Sequence, residues 1–260
     1  MALLESVETA LITGASRGIG EAFARRLAAL GKDLILVARS ESKLQALASE
    51  LVAAHGVAAQ VIVADLSRSG SAVSLFRETE RRGLTVDLLV NNAGFSRVGE
   101  FAEIPCDVQA DMVRLNVNAL MELTRLYLPA MRRGRRGGVI NVASNAAFQS
   151  VPYMSVYAAS KAFVLHFSEG LAREVAADGV RVLALCPGAT ATEFWTIAGA
   201  LEDRREMMTS PDKVVTVALR AFDRGRAFVV PGLGYKLLAF ASSRLAPRWL
   251  VTAIAGRLFR

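Results

Sequence analysis

The short apolar stretch Glu8-Thr-Ala-Leu-Ile-Thr13 runs directly into Gly14-Ala-Ser-Arg-Gly18-Ile-Gly20, and that turn opens a helical pattern from Glu21 to Leu30. Nothing else in the chain restricts the fold as strongly. A strand, a glycine-rich turn and a helix in this order aim backbone N–H groups at a ligand, and the helix N-terminus favours a phosphate. The glycines allow the tight turn and the close approach of backbone to a pyrophosphate. A lone glycine-rich turn is also an ordinary tight turn; its place after the first strand and at the start of a helix gives it weight.

Strands and helices continue to alternate. Asp33 to Arg39 reads as a second strand, Ser42 to Ala54 as a helix, and Ala59 to Ala64 as a third strand ending at Asp65 and Leu66. A helix over 69–82 leads to the strand Val86–Val90, which ends in Asn91-Asn-Ala-Gly94. A long helix over 108–132 carries Asn116, and the basic loop Arg132–Arg136 reads as a solvated charge cluster ending it, away from the ligand edge. The strand Gly138–Ala143, a helix reaching Asp178, the strand Val180–Cys186, a helix over 211–223 and a strand over 227–230 follow. This alternation predicts an α/β fold, a Rossmann-type doubly wound parallel sheet with helices on both faces. Ligands of such sheets bind beyond the carboxyl ends of the strands.

The stretch Ser144 to Lys161 supplies chemistry at that edge. Tyr157 and Lys161 are four residues apart and share a face if the segment is helical. A tyrosine with a pKa of about 10 is a poor acid–base catalyst at neutral pH. An ammonium beside it favours the phenolate and lowers that value, which suits it to pass a proton to or from oxygen. Ser144 falls at a strand end. A Tyr and a Lys at this spacing are also frequent helix neighbours with a solvated Lys; the cofactor signals elsewhere favour the catalytic reading.

About twenty residues past the glycine turn, where a ribose-reading site carries an acid, the chain has Ala38 and Arg39. Arg39 together with Arg17 favours a 2′-phosphate, since guanidinium matches phosphate bidentately, and so favours NADP over NAD. Arg39 as a solvated helix-start residue is the alternative.

The 260 residues suit one buried α/β domain. We expect residues 1–232 to form the dinucleotide-binding and catalytic domain and residues 233–260 a basic amphipathic extension of it. Cys106 and Cys186 form no C-x-x-C pair, and His55 and His166 stand apart, so no metal is expected. Cysteine usage and the N-terminus fit a reduced, cytoplasmic setting. The net charge of +7 belongs to the end of the chain: residues 224–260 hold seven basic side chains and no acidic one. A nucleic-acid binder would spread such charge over its body. After Pro247, Leu250, Val251, Ile254 and Leu258 form an apolar stripe flanked by Arg248, Arg257 and Arg260. A helix of this kind packs on its own domain, on a sister subunit or on an anionic membrane.

Taken in order, Thr13 to Gly20, Asp65, Asn91 to Gly94, Asn116, Ser144, Tyr157-Ala-Ala-Ser-Lys161, Pro187-Gly188 and Thr192 resemble the short-chain dehydrogenase/reductase family in its ordinary single-domain branch, over about residues 8–232. The resemblance implies an NADP(H)-dependent oxidoreductase interconverting a carbonyl and an alcohol. It implies Tyr157 as general acid/base, Lys161 lowering its pKa and holding the nicotinamide ribose, Ser144 on the substrate oxygen, and Asn116 supporting a water that links Lys161 to solvent. It implies a cofactor held by Gly14, Ser16, Arg17, Gly18, Ile19, Gly20, Arg39, Asp65, Leu66, Asn92, Ala93, Gly94, Pro187, Gly188 and Thr192, besides Tyr157 and Lys161. It further implies a homodimer or tetramer. Phe95, Phe148, Val151, Met154, Phe194 and Trp195 would line an apolar substrate site, for a ketone, aldehyde or acyl-type compound. The segment 189–208, with Leu201, Met207 and Met208, reads as a lid over it or as a peripheral helix pair. A non-catalytic NADP(H) sensor on the same fold is the alternative.

Overall fold

A computed structural model describes residues 3–199 and 208–258. Seven strands form one parallel sheet: β1 (Thr9–Thr13), β2 (Asp33–Ala38), β3 (Ala59–Val63), β4 (Leu88–Asn91), β5 (Gly138–Val142), β6 (Arg181–Leu185) and β7 (Phe228–Val229). Their order is β3-β2-β1-β4-β5-β6-β7, and every pairing is parallel. The chain therefore runs outward from β1 in one direction and from β4 in the other. Between β1 and β4 the connections diverge to opposite faces, which opens a crevice at their carboxyl ends.

The strands are apolar at nearly every position because helices cover both faces. Within β1 and β2 the alternation is still visible. Ala10, Ile12, Leu34 and Leu36 face one core with Phe23, Leu27, Leu44 and Phe222. Leu11, Ile35 and Val37 face the other with Leu75, Leu123, Tyr127 and Met131. The first core is covered by α2 (Gly18–Ala28), α3 (Glu41–His55) and α9 (Pro211–Asp223), with α1 (Leu3–Ser6) beside it. The second is covered by α4 (Ser71–Arg81), α6 (Leu120–Gly134) and the end of α7 (Ser155–Glu174). Local chemistry fixes several ends: Gly56 closes α3 in the left-handed region, and the Ser210 hydroxyl caps α9 ahead of Pro211.

Three expectations are revised. The single helix expected over 108–132 is α5 (Cys106–Val113), a π-helical turn over Arg114–Ala119, and α6. The wide turn carries Asn116, and such insertions concentrate at functional positions. The loop Arg132–Arg136 is a set of pairs more than a solvated cluster: Arg132 binds Asp178 at 2.6 Å, and Arg136 lies 3.3 Å from the buried carboxylate of Asp87. Asp87 in turn accepts from the N–H groups of Glu8 and Thr9, so these charges tie the amino-terminal rim of the sheet.

The third concerns the end of the chain. Before the expected helix, here α11 (Arg248–Leu258), lie α10 (Leu233–Phe240) and a π-helical turn over Ala241–Leu245. Of the expected stripe on α11, Leu250 and Ile254 are exposed, whereas Ala255 is buried. Ala255 and Gly256 face the protein, and Gly256 sits directly against Pro152. Among the described residues of the segment 189–208, Phe194–Ala198 form a short helix, α8, and Thr190 bridges Thr209. Leu201, Met207 and Arg260 lie outside the described residues.

Candidate active site

The crevice is a cleft of 1540 Å³ along the carboxyl ends of the strands. Its lining includes Gly14, Ser16, Arg17, Gly18, Ile19, Arg39, Asp65, Leu66, Asn92, Ala93, Gly94, Ser144, Tyr157, Lys161, Pro187, Gly188 and Thr192. Gly20 and Asn116 lie behind this surface.

Asn92 stitches the crevice across its floor. Its amide donates to the carbonyls of Thr13 and Gly14 at 2.9 and 3.2 Å, while the Thr13 hydroxyl accepts from the N–H groups of Asn92 and Ala93. The loop after β1 and the loop after β4 are thereby held as one surface. Gly20 makes this possible: a Cβ there would lie 2.3 Å from the Gly14 carbonyl oxygen. Its role in this geometry is close packing of α2 beneath the turn. Gly14 and Gly18 have φ of +66° and +58°, which only glycine adopts at low cost.

Beyond β2 and β3, Arg39 and Asp65 both reach the cleft. Burial opposes ionisation of Asp65, but hydrogen bonds from Ser67 and the charges of Arg39 and Arg68 hold its carboxyl below the usual range. Arg17 is engaged: it binds Glu193 at 3.0 Å, across the mouth from the glycine turn to the segment before α8.

The reactive end is built on β5, the turn after it, and α7. Tyr157 and Lys161 are one helical turn apart and both buried. Lys161 Nζ donates to the Val142 carbonyl at 2.7 Å and lies 5.7 Å from the centre of the Tyr157 ring. Burial pulls Lys161 down to about 8, opposed by Cys186. The same burial pushes Tyr157 up to about 12, with Ser144 drawing it back. The fall of the Tyr157 pKa expected from Lys161 is not what burial produces: desolvation of the phenolate raises it, and the Lys161 hydrogen bond goes to a carbonyl, not to the phenol. The Ser144 hydroxyl accepts from the Ala146 N–H at 3.1 Å.

Asn116 acts on the backbone. Its carbonyl oxygen accepts from the Phe95 N–H, and its amide donates to the Phe95 carbonyl and the Ser160 hydroxyl. Ser160 in turn donates to the Tyr157 carbonyl at 2.7 Å. The π-helical turn delivers this amide to the loop after β4, and the loop and α7 are locked together through it.

The apolar side is formed by Phe95, Val98, Val151, Met154, Phe194 and Trp195 around Tyr157; the Phe194 ring lies 5.6 Å from the Tyr157 ring. Phe148 packs elsewhere, against Phe228 and the core beneath β6. Five further residues contribute to the site without having been assigned a role from the sequence. Glu193 and Ser160 carry no local signal. Tyr235 on α10 covers Gly188, where a Cβ would meet its ring at 2.4 Å. Asn141 and Asn91 bond each other at 2.9 Å between neighbouring strands; two amides inside otherwise apolar strands are a readable sign of a buried polar pair.

The chain matches the short chain dehydrogenase family over residues 8–201. It belongs to that family. A short-chain dehydrogenase from Sphingobium yanoikuyae, solved with NADPH, is 35% identical, with a TM-score of 0.84 over 92% of this chain and 93% of that one. The very-long-chain 3-oxoacyl-CoA reductase of Anas platyrhynchos is 35% identical over 214 residues, 81% of this chain and 67% of that protein. The inactive hydroxysteroid dehydrogenase-like protein 1 of Rattus norvegicus is 34% identical over 180 residues, 68% of this chain and 54% of that protein. The fold and the oxidoreductase family are thereby fixed. Among the described residues no cluster suits a metal ion, and no helix is long and apolar enough to cross a membrane.

Proposed function

We propose that this short-chain dehydrogenase is an NADP(H)-dependent oxidoreductase that interconverts a carbonyl and an alcohol on a small, apolar ketone, aldehyde or acyl-type substrate. The observation that carries this reading is the buried Tyr157–Lys161 pair, set beside Ser144 at the end of a cleft that begins at the glycine turn.

The cleft fits a dinucleotide. Glycine backbone at Gly14 and Gly18, with Ser16 and Ile19, leaves room for a pyrophosphate, and side chains there would close it. Arg39 and Arg17 would favour a ribose 2′-phosphate; of the residues lining the cleft, Asp65 and Leu66 would hold the adenine, and Asn92, Ala93, Gly94, Pro187, Gly188 and Thr192 the nicotinamide half. The bound dinucleotide supplies the hydride. Tyr157 gives its proton to the substrate oxygen in reduction and takes it back in oxidation. A phenol that keeps its proton to about 12 is in the acid form reduction needs. Ser144 holds the substrate oxygen and offsets its developing charge. Lys161 supplies a cation within the same low-dielectric site, and Asn116 positions α7 against the loop after β4.

The reading extends to a cytoplasmic homo-oligomer whose residues 233–260 touch a membrane peripherally. Its test is NADPH oxidation over a panel of aldehydes, ketones and acyl thioesters, with NADH in parallel and Tyr157→Phe as control. Turnover with NADPH that vanishes in Tyr157→Phe supports it. Equal preference for NADH removes the role given to Arg17 and Arg39. A second reading, a non-catalytic NADP(H) sensor, draws support from the 34% identity to a protein named inactive; tight NADPH binding with no turnover across the panel would favour it.

A further inference from the structure

Half of the sixteen exposed large apolar side chains among the described residues fall in the short span from Leu233 to Ile254. On α10, Leu233, Leu237 and Phe240 follow helical spacing and are 73%, 59% and 56% exposed. On α11, Leu250 and Ile254 share a face, and Trp249 beside them is 72% exposed. Scattered exposed apolar residues need no explanation, but a contiguous concentration does. The same span carries Lys236, Arg244 and Arg248, and no acidic residue occurs from Arg224 to Arg260.

We infer that α10, the turn after it and α11 dock this enzyme on an anionic lipid surface. Charge selects the occupant. A two-fold contact of this face with a second copy would set three cations against three cations with no carboxylate among them. Anionic headgroups complement that charge, and the apolar side chains enter the acyl boundary. Neither helix is long enough to span a bilayer, so the segment lies in the interface.

The placement also deepens the proposed carbonyl–alcohol chemistry, on which this second half rests. By helical spacing Thr252 and Gly256 share a different face of α11 from Leu250 and Ile254. That face, together with Arg257, lines a cavity of 610 Å³ whose other walls include Met112, Met154 and Tyr157, with Arg97 and Glu100 also at its boundary. Leu238 of α10 lines the main cleft. One segment thus forms both the lipid-facing surface and a wall of the substrate site. The substrate class it fits is a bilayer-dissolved hydrophobic ketone or alcohol, passed to Tyr157 without crossing bulk water.

The test is flotation of the full chain with phosphatidylcholine vesicles holding about 30% phosphatidylserine, and with phosphatidylcholine alone, at about 0.1 and 0.5 M salt. Flotation with the anionic vesicles at low salt, weaker by about tenfold on neutral vesicles or at high salt, is the expected result. Leu237→Glu with Ile254→Glu should lower binding at least about tenfold and leave NADPH affinity unchanged. Lys236→Gln with Arg248→Gln, which alters only exposed cations, should do the same should the first pair misfold. A wild-type chain that does not float with anionic vesicles overturns the inference. So does a Leu237→Glu, Ile254→Glu protein that floats normally but has lost its subunit contact in sedimentation. For the substrate half, vesicle-embedded long-chain ketones should be turned over faster than the same ketones in detergent-free buffer; equal rates overturn that half. If no carbonyl is reduced at all, soluble or embedded, the oxidoreductase reading fails while the flotation result stands.

Discussion

Lys161 Nζ lies 5.7 Å from the centre of the Tyr157 ring while giving its hydrogen bond to the Val142 carbonyl, 2.7 Å away. The two groups are buried together, and burial moves them in opposite directions, to about 8 for Lys161 and about 12 for Tyr157. Between those values the phenol is protonated and the amine neutral. Reduction needs the phenol proton and gains from the ammonium, so kcat for reduction should be flat below pH 8 and fall above it. A rate that climbs steadily from pH 7 to 10 would show that the phenolate is the working form in that direction.

The same pair has a stability consequence. Lys161 is lowered from 10.5 to about 8, so between these values the unfolded chain binds more protons and Lys161's contribution to stability rises with pH. Below pH 8 the fold carries a buried ammonium at a cost of about 3 kcal/mol. Tyr157 is raised from 10.0 to about 12, so its contribution is full below 10 and is lost as pH rises through 12. Lys161→Met removes the buried charge and leaves the Val142 carbonyl unpaired, a loss of about 1–2 kcal/mol. At pH 7 we expect a net gain of about 1–2 kcal/mol in urea unfolding, together with loss of turnover. A destabilised Lys161→Met would mean that the ammonium is better solvated than its burial implies.

The family motifs were legible as residue types, and so was the sheet: six of the seven strands match alternation visible in the chain, and β7 is only shorter than expected. Asn116 could be singled out as an amide in a helix. The π-helical turn that aims it could not, because a single wide turn shifts the apolar phase only once within a long amphipathic run. Likewise Arg17 reads as a phosphate ligand, but its pairing with Glu193 joins positions 176 residues apart. On α11 the apolar spacing marks a stripe without saying what covers it, and the contact of Gly256 with Pro152 that turns Leu250 and Ile254 outward has no sequence signal.

On the proposed reading Glu193 would compete with a 2′-phosphate for Arg17. Both side chains are about half exposed, so the pair itself is weak, but its carboxylate also faces Lys43 at 3.9 Å. Glu193→Gln removes a negative charge from the rim where a 2′-phosphate would sit. Fluorescence titration should show NADPH binding tighter by about threefold to tenfold, with NADH affinity little changed. Equal gains for both would place the effect on the pyrophosphate instead.

Glycines of this chain differ in what a methyl group would meet. At Gly20 it would meet the Gly14 carbonyl at 2.3 Å and the Asn92 amide at 2.5 Å. Backbone is the obstacle, so α2 must move off the turn. Gly20→Ala should cost about 2 kcal/mol or more and weaken NADPH binding at least about tenfold, because the N–H groups of the turn are displaced with it. At Gly170, exposed within α7, nothing lies within 4 Å of the added atom. Gly170→Ala should therefore stabilise by about 0.5–1 kcal/mol through helix propensity alone, with cofactor binding unchanged. Comparing the two by thermal unfolding with and without NADPH separates the effects: the ligand-induced rise in Tm should shrink for Gly20→Ala and persist for Gly170→Ala. A Gly170→Ala protein that loses stability would place that face of α7 against another subunit, since within one chain the methyl group has only open space to fill.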